Sequence, residues 1–105
     1  MSDIEFKQGA SGILSIAHDV DNVAITGITA AKYEIYGRTG TVLLTKALGS
    51  GIDFVDGKIQ IALTNEDTAA LSGSYTHQCV ARDNANRIIY PLKGEIKFDG
   101  TKARL

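Results

Sequence analysis

Two histidines and one cysteine are the side chains of this sequence best suited to nucleophilic or acid–base chemistry. His77 and Cys79 stand two residues apart, so on a strand their side chains point to the same face. A thiol activated by an imidazole also needs a group that orients the imidazole, and neither His18 nor any neighbour supplies one at a useful spacing. We therefore predict that His77 is a packing or surface residue and Cys79 a small buried apolar one. The sequence predicts no catalytic residue and a chain that is not an enzyme.

The acidic segment Asp19-Val20-Asp21-Asn22 resembles the opening of a calcium-binding loop. Such a loop requires glycine at its sixth position and an acidic residue at its twelfth, where this chain has Ala24 and Ala30. His18 beside Asp19 could ligate a metal, but two ligand types without a spacing signature do not define a site. The glycines lack the fingerprint of a phosphate-binding loop. We expect a solvated turn, no metal site and no cofactor.

Four tyrosines could form an aromatic surface for a sugar or a peptide. The alternation of apolar and polar residues along the chain places Tyr33 and Tyr75 in the core. That leaves Tyr36 and Tyr90 for the surface, so we do not expect a four-tyrosine binding platform.

The segment that organises the fold runs from Lys58 to Arg82. Apolar and polar residues alternate over Lys58–Leu63, which predicts a strand with one apolar face. Thr64 follows as a helix N-cap, and Asp67 three residues later completes the form of a capping box. These residues predict a short helix over 65–71, and Tyr75 opens the next strand.

Further short strands are predicted on both sides of this segment. Turns at 37–40 and 56–57 join neighbouring strands as hairpins, and 83–86 forms another turn. Val23, Ala24 and Ile25 have strand character, and Pro91 marks an edge, a bulge or a break. About seven to nine short strands with one helical turn predict an all-β fold, an antiparallel immunoglobulin-like β-sandwich. The predicted core consists of Phe6, Ile25, Tyr33, Ile35, Leu44, Ile61, Leu63, Tyr75, Cys79, Ile96 and Phe98.

The composition limits the classes of function. The chain has 105 residues, 44% of them hydrophobic, and a formal net charge of −1. These values indicate one globular domain over 1–105, with an N-terminal arm at 1–7 and a C-terminal tail at 101–105. Because no basic patch or long apolar run is present, we expect neither nucleic acid nor membrane as a partner. With Cys79 as the single cysteine, an intrachain disulfide is excluded, and a reducing cytoplasm suits the chain.

One segment resembles the corner between strands E and F of immunoglobulin variable domains. It consists of Glu66-Asp67-Thr68-Ala69 followed by Tyr75 and Cys79. Tyr75 stands four residues before Cys79 instead of two, and the chain has neither a partner cysteine nor a tryptophan. The similarity indicates a shared way of crossing a sandwich, not membership of the antibody family.

A longer resemblance covers most of the chain. Its parts are Phe6-Lys7-Gln8-Gly9, a strand at 32–36 running into Gly40-Thr41-Val42, Asp56-Gly57-Lys58-Ile59, the segment 63–75, Asp83 and Gly94-Glu95-Ile96. This layout is similar to small immunoglobulin-like β-sandwich proteins of tailed phages and prophages, which serve in tails, baseplates or head accessory positions. Its motifs are structural and carry no catalytic residue across. The resemblance implies a structural virion protein, made in the host bacterial cytoplasm, whose partners are other virion proteins and copies of itself.

Two functions remain open from the sequence. The first is a structural component that acts through protein contacts. The second is an immunoglobulin-like binding module that recognises a carbohydrate or protein ligand through loops at one end of the sandwich, with Arg38, Asn84 and Asn86 as candidates. Sheet edges and terminal segments are natural sites of contact between chains. The assembly contacts predicted on that basis are Ile4, Phe6, Lys102, Arg104 and Leu105; alternatively, both ends complete their own sandwich.

Overall fold

The computed structural model describes residues 4–7, 11–19, 21–69, 71 and 73–99, and this part of the chain is all-β, as predicted. One short helix, α1, covers Asn65–Ala69. The strands are β1 (Ile4–Lys7), β2 (Gly12–Ile16), β3 (Ile28–Tyr36), β4 (Val42–Leu48), β5 (Gly51–Val55), β6 (Lys58–Leu63), β7 (Gly73–Asp83) and β8 (Ile88–Asp99).

The strands are hydrogen-bonded in the order β1-β8-β7-β3-β4-β5-β6-β2. The pairs β1–β8 and β4–β5 are parallel, and the others are antiparallel. The sheet is therefore mixed, which corrects the prediction of a wholly antiparallel one. The β4–β5 contact joins only Ala47 to Gly51 and Leu48 to Ile52. This narrow connection links the group β1-β8-β7-β3-β4 to the group β5-β6-β2.

Side chains from both groups form one core. Tyr33 and Ile35 of β3 and Ile59 and Ile61 of β6 are fully buried in the same cluster, so the sheet curls around a common core. Alternate residues of β6 point inward, as its sequence pattern predicts. Of the predicted core, Leu44 and Tyr75 are only partly buried, and the side chain of Phe6 lies outside the described residues. The other predicted core residues are buried, and the prediction missed Leu14, Ala31, Ile52, Ile59, Leu71, Ala81 and Leu92.

The helix α1 begins with the predicted capping box. The Thr64 N–H donates to Asp67 Oδ2 at 2.8 Å, and the Asp67 N–H donates to Thr64 Oγ1 at 3.1 Å. Lys46 of β4 also bonds Asp67, with 2.7 Å between Nζ and Oδ2, which ties the helix start to the sheet. The helix ends at Ala69, earlier than the predicted Leu71. In the described part of the chain no helix is long and apolar enough to cross a membrane.

The predicted hairpin turn at 56–57 is confirmed. Asp56 has φ 52° and Gly57 has φ 75°, the two positive values that a type I′ turn needs. The turn joins β5 to β6, whose register pairs Val55 with Lys58.

Two other strand predictions differ from the structure: the closing strands between 87 and 98, and the strand at 23–25. The segments around Arg87–Tyr90 and Gly94–Phe98 belong to one strand, β8. Cys79 pairs with Leu92 and Ala81 with Ile89, so one residue of β7 stands opposite two of β8 and Pro91 lies in a β-bulge. No described strand covers Val23, Ala24 and Ile25, because Ala24 makes only an isolated bridge to His18.

Candidate functional site

The side chains best suited by type to nucleophilic or acid–base chemistry lie in the core. His77 and Cys79 project from the inner face of β7, and neither is exposed, nor is Tyr33 of β3. The Tyr33 hydroxyl and His77 Nδ1 are 2.9 Å apart, and the two rings meet edge to face with centroids 5.7 Å apart. His77 is therefore a packing residue, which was one of the two predicted outcomes.

Burial keeps these groups uncharged. It lowers the pKa of His77 from 6.5 to about 4 and raises the pKa of the Cys79 thiol to about 12. Burial also raises the pKa of Tyr33, and the nearby Cys79 adds to that effect. Because the thiolate is the reactive form of cysteine, the Cys79 thiol is held in its unreactive state at neutral pH.

His77 leaves one ring nitrogen without a partner. Its Nε2 is buried and makes no hydrogen bond to any described atom. Nε2 is unsatisfied in either tautomer: it is an unpaired donor if the Tyr33 hydroxyl donates to Nδ1, and an unpaired acceptor if Nδ1 donates to the Tyr33 oxygen. Such a group costs about 1–3 kcal/mol of desolvation. Protonation of the second ring nitrogen would place a charge in the same apolar interior.

The acidic segment after β2 forms a turn at one end of the sheet. The Asp19 N–H donates to the Val23 carbonyl, the Asn22 N–H donates to the Asp19 carbonyl, and Asn22 has φ 63°. Asp19 Oδ1 accepts from the N–H groups of Asp21 and Val23 at 2.9 and 3.0 Å. Asp19 thus stabilises its own turn. Within the described residues no three His, Cys, Asp or Glu side chains come together in a way that could hold a metal ion.

The loop between β7 and β8 repeats this geometry. Asp83 Oδ1 accepts from the N–H groups of Ala85 and Arg87, Asn86 has φ 65°, and Asp83 Oδ2 bonds the Arg87 guanidinium at 3.0 Å. The backbone hydrogen bond from Arg87 is the main cause that lowers the pKa of Asp83. Both loops place Asn three residues after Asp, a spacing that could have identified the shared turn from the sequence.

The candidate sugar-binding residues do not come together. Asn84 and Asn86 belong to the loop that follows Asp83, and Asp83 pairs with Ile28 at the start of β3. Arg38 lies two residues after Tyr36, which is the last residue of β3 at its opposite end. The length of that strand, about 30 Å for nine residues, separates the two groups.

The tyrosines are also dispersed. Tyr75 is half-buried against Phe98, with ring centroids 5.8 Å apart. Tyr36 is half-buried and donates its hydroxyl hydrogen bond to Glu34. Tyr90 is 43% exposed. With Tyr33 in the core, the four do not form a shared binding platform.

An apolar patch flanked by two cations lies on the outer face of β3, β7 and β8. The face consists of the residues that alternate with the buried ones, and its register pairs Ala30 with Arg82, Lys32 with Val80 and Arg82 with Ile88. These five residues line a shallow hollow of about 220 Å³ and are called the outer patch below. Ile88 is 51% exposed. Sequence analysis missed this patch because its members come from three separated segments.

The predicted assembly residues have different outcomes. In β1, Ile4 lies opposite Ile96 and Phe6 opposite Phe98, so the first strand pairs with β8 of its own sheet. This is the arrangement in which the N-terminal end completes the chain's own fold. Lys102, Arg104 and Leu105 lie outside the described residues. The assembly role of all five stays a prediction.

Comparison with known proteins adds one relative and no family. No family model matches the chain. The chain is 31% identical, over 115 aligned positions, to a tRNA (guanine(26)-N(2)/guanine(27)-N(2))-dimethyltransferase of Aquifex aeolicus (strain VF5). The match covers 89% of this chain and 28% of the relative, so the chain spans little more than a quarter of that protein. The prediction that the chain is not an enzyme is contradicted, because this relative is one.

Proposed function

We propose that the chain is an immunoglobulin-like β-sandwich module that acts, through protein contacts, as a structural component of a phage virion. The strand order supports the sandwich. In β8-β7-β3-β4 the neighbours follow the G-F-C-C′ order of a variable-type domain, and β2-β6-β5 follows its B-E-D order. The single core between the two groups fits two facing sheets. The longer resemblance in the sequence is what connects this fold with virions.

The outer patch is the observation that carries the role in protein contacts. Ile88 of the outer patch is 51% exposed and pairs with Arg82, and Tyr90, two residues further along β8, is 43% exposed. Arginine and tyrosine are both enriched at protein interfaces. A formal net charge of −1 leaves little repulsion to oppose close packing with neighbours.

The test is co-sedimentation with the products of the neighbouring genes. We expect the intact chain to sediment with them, Ile88→Asp to stay at the top of the gradient, and Ile13→Asp to behave as the wild type. Ile13 is the matched control because it is 63% exposed and lies on β2, in the other strand group. A wild-type chain that never leaves the monomer fraction contradicts the proposal. Binding to a glycan array without such partners would instead favour a carbohydrate-binding module.

The similarity to the tRNA dimethyltransferase favours a second candidate function. In this proposal the chain contributes to the recognition or methylation of tRNA. Lys32 and Arg82 of the outer patch are the cations that would approach phosphates. The measurement is a gel shift with an unmodified tRNA transcript, followed by incubation with a labelled methyl donor and analysis of guanines 26 and 27. Binding that Arg82→Glu weakens and Lys58→Glu does not would support this candidate, and absence of binding would remove it.

A further inference from the structure

We propose that the outer patch and the adjoining loop, with Asp21 and Val23, form one self-complementary surface through which two copies of this chain associate. This inference rests on the proposed function in protein contacts and names a second copy of the chain as the partner. It is carried by the continuity of the apolar surface, by the distribution of charge on it, and by the symmetry that such a distribution permits.

Ile88 makes the surface continuous. On one side it lines the hollow of the outer patch, together with Val80 and Ala30. On the other side it lines a second hollow of about 200 Å³, together with Asp19 and Val23. Val23 is 57% exposed and Ile88 is 51% exposed. Ile88 and Val23 therefore form an exposed apolar connection between the hollow on the sheet face and a second hollow that Asp83 and Arg87 also line.

The two sides of Ile88 differ in charge, because the Arg87 guanidinium on the loop side is paired with its own Asp83 at 3.0 Å. Arg82 and Lys32 border the hollow on the sheet face, while Asp21 lies exposed in the loop beside Val23. Lys32 forms an ion pair with Glu34 of the same strand, with 3.6 Å between Nζ and Oε2. Among the described residues, neither the Arg82 guanidinium nor the Asp21 carboxylate has an ion-pair partner. Each is therefore available to a neighbouring molecule.

A surface of this kind fits a copy of itself. In a two-fold contact the same patch meets on both subunits, so every interaction occurs twice. An axis beside Ile88 would place Val23 of each copy over the apolar hollow of the other. Asp21 of each copy would then face Arg82 of the other, where the planar guanidinium can bind a carboxylate with two hydrogen bonds. A partner of one charge would match only half of the surface, which is why we infer a second copy.

Sedimentation equilibrium of the intact chain over a range of concentrations tests the inference. The monomer mass is 11.2 kDa. We expect reversible dimerisation of the wild type, and weakening by about tenfold or more in Arg82→Glu and in Asp21→Arg. The double variant Asp21→Arg/Arg82→Glu should dimerise again, as should an equimolar mixture of the two single variants, because the reversed charges face each other. This restoration distinguishes a direct contact from damage to the fold.

Two exposed residues of the other strand group provide matched controls. Asp53→Arg and Lys58→Glu make the same charge changes on β5 and β6 and should leave the dimer unchanged. A wild type that stays monomeric at every concentration overturns the inference, as does a double variant that associates no better than the single ones. A monomeric chain that still co-sediments with its neighbours through Ile88 would retain the proposed function while losing the second copy as its partner. A monomer without any partner would overturn both.

Discussion

The buried His77 makes the stability of this fold depend on pH. In the folded state burial lowers the pKa of His77 to about 4, whereas the unfolded chain has the ordinary value of 6.5. Below pH 6.5 the unfolded chain therefore binds a proton that the folded chain does not. The stability is complete above pH 6.5, is lost as the pH falls toward 4, and changes no further through this residue below that.

The magnitude follows from the separation of the two values. Each pH unit between them is worth about 1.4 kcal/mol, so His77 removes about 2 kcal/mol of unfolding free energy between about pH 7.5 and about pH 5. Working at about pH 5 keeps the Asp67 and Asp83 carboxylates ionised, because interactions with their neighbours hold the pKa of each below its ordinary value of 3.8.

Urea unfolding at the two pH values measures this loss in the wild type and in two variants. His77→Phe keeps an aromatic ring in the core and removes the titrating group. The unfolding free energy of this variant should therefore fall by less than about 0.5 kcal/mol between the two pH values. His18→Asn changes the exposed histidine and should behave as the wild type. Titration of the His77 ring signals by NMR gives the folded pKa directly.

The reasoning is refuted if His77→Phe loses as much stability as the wild type between the two pH values. It is also refuted if the ring of His77 titrates near 6.5 while the protein remains folded. The first result would mean that other groups cause the loss of stability, and the second that water or an unrecognised partner reaches Nε2 in the core.

Three further substitutions test local contacts. Thr64→Ala removes the Oγ1 acceptor of the capping box and should cost about 1 kcal/mol in a urea melt; a negligible shift would mean that the cap does not stabilise the turn. Gly51→Ala should cost about 1 kcal/mol or more, because Gly51 has φ 96° and a Cβ there would lie 2.5 Å from Lys46 Cδ; an unchanged melting temperature would contradict this. Asp83→Ala should lower the melting temperature more than Asp53→Ala, since Asp83 accepts hydrogen bonds from its loop; equal temperatures would show that the loop is stable without them.

Local structure was determined by the sequence because the interactions that define it span few residues. Thr64 and Asp67 specify the helix start through reciprocal hydrogen bonds, and Asp56-Gly57 supplies the two positive φ values of its turn. The alternation around Ile61 places that side chain in the core with no knowledge of what it will contact. The all-β class and most of the predicted core follow from such patterns.

Only the tertiary structure shows which residues from different elements contact each other. The pairing of Tyr33 with His77 joins residues 44 positions apart, and no local pattern distinguishes a histidine buried with one free nitrogen from one at the surface. The Lys46–Asp67 ion pair and the parallel β1–β8 edge are equally non-local. The outer patch exists only because the sheet order places Lys32, Arg82 and Ile88 side by side. Its composition is a property of three adjacent strands, each of which is unremarkable by itself.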